Sequence, residues 1–150
     1  MSQEKYIHAV KPITIEKSRR STPTDACTPK EITSLRSLIG AMQWPAAQSC
    51  PFLSTTVSYR QARMSKAEVQ DLLDANKDLR FMKNCADIKL QYSGLPPLYL
   101  WRLGGYTDAS WASRPDGTSQ GGYLLSIADS NDLTEGRTMV LNTLDWSSRS

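Results

Sequence analysis

The chain has 150 residues, 39% hydrophobic and 22% charged, with 18 Lys and Arg against 15 Asp and Glu. That is the size and balance of one globular domain or of pieces of two, and a net charge of +3 is too small to be a nucleic-acid footprint by itself. No apolar run reaches the roughly 18 residues of a membrane span, and the first twenty residues lack the apolar stretch of a secretory leader. Cys27, Cys50 and Cys85 are too far apart for a CxxC pair, so neither a disulfide framework nor a zinc ribbon is supported. The expected setting is reducing and intracellular, cytoplasmic or nuclear, with no membrane partner.

Charge is unevenly spread. Residues 1–36 carry seven basic and four acidic side chains, residues 37–100 seven and five, and residues 101–150 four and six. A basic start before an acidic end suits a chain whose first part meets phosphates and whose last part holds a cation; chance in a small sample produces the same.

From the N-terminus, Tyr6, Ile7 and Val10 stand at helical spacing until Pro12 stops the pattern, because an interior proline removes a donor and clashes with the preceding turn. A short helix is predicted there. Glu16 to Thr28 holds Lys17, Arg19, Arg20, Ser21, Thr22, Pro23 and Thr24 with hardly an apolar residue, so it reads as an exposed linker. Thr28, Pro29, Lys30 and Glu31 spell a capping box with proline at the first helical position. Ile32, Leu35, Leu38, Ile39 and Met42 follow on one face, and Trp44-Pro45 predicts an end at Gln43. A second helix is expected from about Pro51 to Ala62. A third should open on a Ser65/Glu68 capping box and carry Val69, Leu72, Leu73, Leu79 and Met82 to about Lys83. Asp71, Asp74, Lys77, Asp78 and Arg80 read as its solvated face.

After Cys85 the period changes to two. Ile88, Leu90 and Tyr92 alternate with Lys89 and Gln91 as in a half-buried strand, and "SGLPP" then breaks the chain. Three further strands are predicted at Leu98–Asp108, Gly121–Ile127 and Thr138–Asp145. Turns fall at Pro115-Asp116-Gly117 and Ser130-Asn131-Asp132. A three-stranded antiparallel meander is the economical arrangement, and its apolar face needs a cover.

The segment "GGYTDASWASRPDGTSQGGYLLSIAD", Gly104 to Asp129, is the most informative. Asp108 ends an apolar strand, where a sheet fixes a carboxylate while its end stays open to water, as a hard-cation ligand requires. Taken alone it is a turn former. The blocks "QEKYI", "TPKEITSLRSLIGAMQW", "ANKDLRFMK", "GYTDASWASRPDGTSQGGYLL" and "DWSSRS" together resemble, in order and spacing, copia-type retrotransposon polyproteins where the tail of the reverse transcriptase runs into the ribonuclease H domain. The resemblance covers nearly the whole chain and is most specific around Asp108.

It implies an α+β fold: an extended segment with a short helix over 1–28, a helical connection over 29–92, and over 95–150 the three-stranded opening of a truncated ribonuclease H-like domain. It also implies that Asp108 is the first catalytic aspartate, in a carboxylate cluster holding two Mg²⁺ that hydrolyse the RNA strand of an RNA–DNA hybrid. Trp111, Gly121, Gly122 and Tyr123 match the pattern as packing and close-approach residues.

The departures are as informative. The family's next carboxylate is a glutamate on the helix after the third strand, about where Ser150 stands, and its later aspartate and His- and Asp-bearing stretch have no counterpart, nor does the polymerase's aspartate pair. Asp116, Asp129, Asp132, Glu135 and Asp145 qualify as substitutes by type alone, and His8 and the cysteines have no catalytic partner to argue from. The expectation is a remnant with a vestigial Asp108, weak or absent Mg²⁺ binding and self-association through an uncovered sheet face. Two alternatives stand beside it. One is a hybrid nuclease when complemented by another fragment; the other is a non-catalytic nucleic-acid binding module using Lys66, Lys77, Arg80, Lys83 and Lys89 with Tyr99 and Trp101.

Overall fold

The computed structural model describes residues 3–88, 90–92, 94, 97–112, 117–135 and 141–149. The chain divides into two compact units, Met1–Lys89 and Leu90–Ser150. The first is helical, with α1 (Glu4–Ala9), α2 (Lys17–Arg20), α3 (Pro29–Gln48), α4 (Ser54–Arg63) and α5 (Val69–Asn84), and 3-10 turns at Pro51–Leu53 and Met64–Lys66. Its core joins Leu35, Leu38, Ile39 and Met42 of α3 to Leu53, Val57 and to Val69, Leu72, Ala75, Leu79 and Met82 of α5, with Ile7 and Ile15 from the N-terminal segment. The apolar periodicity of the α3 and α5 sequences therefore marks their buried faces, as their spacing predicts.

Helix α1 stops before Pro12 as predicted. The extended residues after it are held by Asn76 of α5, whose amide accepts from the Ile13 N–H at 2.8 Å and donates to the Ile13 carbonyl at 2.9 Å. The segment 16–28 differs from the expected linker: it packs into the same unit, and what orders it is polar. The Gln70 and Val69 N–H groups, first-turn donors that α5 cannot satisfy internally, donate to the carbonyls of Pro23 and Asp25 at 2.8 and 3.0 Å, and Cys27 N–H reaches Ala67 O at 2.9 Å. A stretch too polar to form core can still close a helix end.

The predicted box opens α3: Glu31 N–H donates to Thr28 Oγ1 at 3.3 Å and Thr28 N–H to Glu31 Oε2 at 2.8 Å. Its end departs from expectation. The helix continues through Pro45 to Gln48, because Pro45 and Ala46 are buried among the core side chains. The carbonyl of Ala41, which the missing Pro45 N–H leaves without its helical donor, accepts from the Tyr6 hydroxyl at 3.1 Å. Helix α5 starts on a different box from the one predicted: Ser65 lies in the 3-10 turn, and the N-cap is Glu68, whose N–H donates to Asp71 Oδ2 at 2.9 Å.

The second unit contains β1 (Trp101–Ser110), β2 (Gln120–Asp129), α6 (Ser130–Glu135) and β3 (Asn142–Arg149). The strands form an open antiparallel sheet in the order β1-β2-β3, the meander that the turn spacing predicts. Mixed helix and sheet is thus the observed class. Two strand ends lie beyond those expected, β1 passing Asp108 to end at Ser110 and β3 passing Asp145 to end at Arg149, and three further details differ from the sequence reading. Ile88 and Leu90 to Tyr92 belong to no strand, Leu98–Leu100 is a 3-10 turn, and the expected turn at Ser130 is helical because the Asp129 carboxylate accepts from Asn131 N–H at 2.8 Å, an N-cap. The turn at residues 115–116 and the start of the third predicted strand, residues 138–140, lie outside the described residues. Among the described residues no helix is long and apolar enough to cross a membrane.

Candidate functional site

Asp108 sits on β1 directly opposite Gly122 of β2, which in turn faces Ser148 of β3. Opposed residues of an antiparallel pair share a face, so Asp108 stands on the face that carries Tyr106, Leu124 and Trp146. Gly122 sits at a close approach: a Cβ there would lie 3.2 Å from the Ser147 carbonyl oxygen, tight enough that the neighbouring strand would have to give by a few tenths of an ångström. The residues around Asp108 are exposed, and Trp111, expected to pack, is 92% exposed.

None of the substitute acids whose side chains are described joins Asp108 in the sheet. Asp145 opposes Leu125 and therefore points to the other face, two strand spacings or about 10 Å across, where its Oδ2 accepts from the Tyr123 hydroxyl at 2.8 Å. That hydrogen bond also raises the Tyr123 phenol above its ordinary pKa. Asp129 opposes Trp101, again on the far face and about 23 Å along the strand from Gly122. Glu135 closes α6. Asp116 and the side chain of Asp132 lie outside the described residues. Among the described residues, no group of three or more His, Cys, Asp or Glu side chains is placed to hold a metal ion. A pair of Mg²⁺ ions needs several oxygen ligands in near-octahedral array, and one carboxylate does not fit that demand.

Of the proposed basic surface, Lys77, Arg80 and Lys83 follow one another at steps of three along α5. Lys77 is paired with Asp74 at 3.0 Å and Lys83 donates to the His8 carbonyl at 3.2 Å. Lys66 precedes α5 while Lys83 lies in its last turn, a helix length of about 24 Å away. Lys89 is outside the described residues, and Tyr99 and Trp101 belong to the other unit.

Electrostatics concentrates elsewhere. The acids read as a solvated face of α5 are covered by two arginines of α4: Arg60 meets Asp78 at 2.7 Å and Asp74 at 3.4 Å, and Arg63 meets Asp71 at 2.7 Å. Asp71 is buried, tolerable because its oxygens are shared between Arg63 and the Glu68 N–H. Burial pushes the Asp74 carboxyl up, but hydrogen bonds from Lys77 and Gln70 and the charge of Arg60 hold it below its ordinary value. The sequence signal existed, in Asp71, Asp74 and Asp78 at steps of three and four and in Arg60 and Arg63 three apart.

A second charged knot surrounds Arg19, which reaches Glu31 at 3.0 Å and Asp25 at 3.1 Å. It borders a groove of about 990 Å³ between the N-terminal segment and α3, lined by Lys11, Pro12, Ile13, Lys30, Ser34 and Leu38 among others. The Arg19 guanidinium is committed to its acids, and the hydroxyl–carboxylate pair in the lining, Thr28 with Glu31 at 2.9 Å, belongs to the capping box of α3. Comparison with family models, with curated proteins and with solved structures returned no match.

Proposed function

We propose that this chain is a piece of a copia-type retrotransposon polyprotein, the connection after the reverse transcriptase and the opening of a ribonuclease H-like domain, and that alone it does not cleave nucleic acid. The observation that carries the reading is the placement of Asp108. It lies on the first of three antiparallel strands following a helical unit, which is where the resemblance puts the family's first aspartate. The lack of catalysis is supported by the same strand, because no other described carboxylate of the three strands stands on the face of the sheet that carries Asp108. The donor set does not fit the metal pair, and no hydrolytic step is derived through it.

The test is cleavage of an RNA–DNA hybrid in Mg²⁺ and in Mn²⁺ by the wild type and by Asp108→Asn. Both are expected to stay at background. Wild-type cleavage that disappears in Asp108→Asn would replace the remnant reading with a nuclease whose further ligands come from elsewhere. Cleavage surviving the substitution would remove Asp108 from any site. Self-association belongs to the same proposal, supported by the exposed Leu103, Tyr106 and Leu144 of the sheet. Binding to nucleic acid without catalysis has less support, since Lys77 and Lys83 are engaged within the helical unit and Lys66 stands beyond the opposite end of α5.

A further inference from the structure

We infer that the groove between the N-terminal segment and α3 receives an extended peptide of another protein in which apolar and acidic side chains alternate. On the α3 wall, Lys30, Ser34, Ser37 and Ala41 recur at steps of four and three, so they share one face of the helix. That stripe runs for about 17 Å along the axis, the length of about five residues of extended chain. The facing wall is the extended stretch from Val10 to Thr14. Asn76 clamps it by holding both the N–H and the carbonyl of Ile13, at 2.8 and 2.9 Å, and the Tyr6 hydroxyl ties one end of the groove to the Ala41 carbonyl at 3.1 Å.

Short side chains keep the space between the walls open. Thr33 and Ser34 turn their hydroxyls back onto the carbonyls of Pro29 and Lys30 in their own helix, at 2.9 and 3.1 Å. The apolar part of the lining is aliphatic: Val10 and Ile13 pack against the core from one wall and the buried Leu38 from the other.

Charge selects the occupant. Lys11 on one wall and Lys30 on the other are exposed, and among the described residues neither forms an ion pair. Of the acids in the lining, Glu31 is neutralised by Arg19 at 3.0 Å, which leaves Glu16 against the two lysines. Successive side chains of an extended peptide point to opposite sides. Apolar residues at every second position therefore reach the aliphatic patch, while the acids between them stand beside Lys11 and Lys30. A nucleic-acid strand fits less well, because its bases need aromatic platforms and Tyr6 is the one aromatic side chain of the described lining.

The full chain is titrated into a fluorescein-labelled hexapeptide of alternating Asp and Leu, and binding is read by anisotropy. Saturable binding below about 1 mM is expected. In the double variant Lys11→Glu/Lys30→Glu it should weaken at least about tenfold, and this variant should bind a Lys–Leu hexapeptide carrying the same label more tightly than the wild type does. Ser37→Trp, at an exposed position of α3, fills the groove without changing its charge and should weaken the Asp–Leu peptide by a similar factor. Should one variant lose its helicity by circular dichroism, the other carries the test. The proposal is overturned if no binding saturates, or if both variants bind the Asp–Leu peptide as tightly as the wild type, which would place the peptide on another surface. It is also overturned if a labelled oligothymidylate binds more tightly than the peptide and is lost in the same variants, which would make nucleic acid the occupant.

Discussion

Glu31 shows how much one side chain can organise. Its carboxylate closes the capping box with Thr28 and takes two hydrogen bonds from Arg19, both at 3.0 Å. The Arg19 hydrogen bond first, then those from Thr28, hold the carboxyl at about 2 rather than 4.5. With the folded pKa depressed, the unfolded chain takes up the proton first as pH falls. The contribution is therefore fully present above about pH 4.5 and is lost as pH drops toward 2. Glu31→Gln is expected to lower the urea midpoint at pH 7 and to flatten its dependence on pH across that window. An unchanged slope would show that Arg19 and Glu31 are too well solvated to matter. The box was legible because Thr28 and Glu31 are three apart in sequence, whereas Arg19 is twelve residues from Glu31 and no local pattern announces that pair.

At the scale of the element, Pro45 separates local rule from tertiary outcome. Proline within a helix costs about 3 kcal/mol, and the sequence accordingly predicts a stop. The ring is instead buried, and the carbonyl it deprives of a donor is taken by Tyr6, whose ring also meets Trp44 edge to face at 5.6 Å. Pro45→Ala removes about 1.6 kcal/mol of buried methylene and restores the helical donor, so a net gain of about 1 kcal/mol is expected despite the lost apolar volume. Restoring that donor satisfies the Ala41 carbonyl without Tyr6. Tyr6→Phe should therefore cost about 0.5–1 kcal/mol in the wild type and close to nothing beside Pro45→Ala. A double-mutant cycle in urea measures the difference, and strict additivity would remove the link between the two residues.

At the scale of the whole molecule, the two units differ in what they bury. Seventeen residues of the helical unit form its core cluster, whereas Ala128 is the buried hydrophobic residue of the sheet unit among those described. A fragment of residues 1–89 is expected to melt cooperatively by circular dichroism, and one of residues 90–150 to show no transition and to bind a dye for exposed apolar surface. The intact chain should associate as its concentration rises. A dilute monomer without dye-accessible apolar surface would count against that association, and a cooperative transition in residues 90–150 would show a sheet stable without further cover.

The helical faces, the Thr28 box and the antiparallel meander were determined by the sequence alone, because each depends on residues within a few positions of one another. Contacts between positions distant in the chain were decided only by the tertiary structure: Tyr6 with the Ala41 carbonyl, the α4 arginines over the α5 acids, and polar residues 23–27 closing the start of α5. The same is true of the faces on which the acids fall. Alternation tells which residues of one strand share a side, but the side of Asp145 relative to Asp108 follows from the pairing of all three strands, and no single strand contains that register.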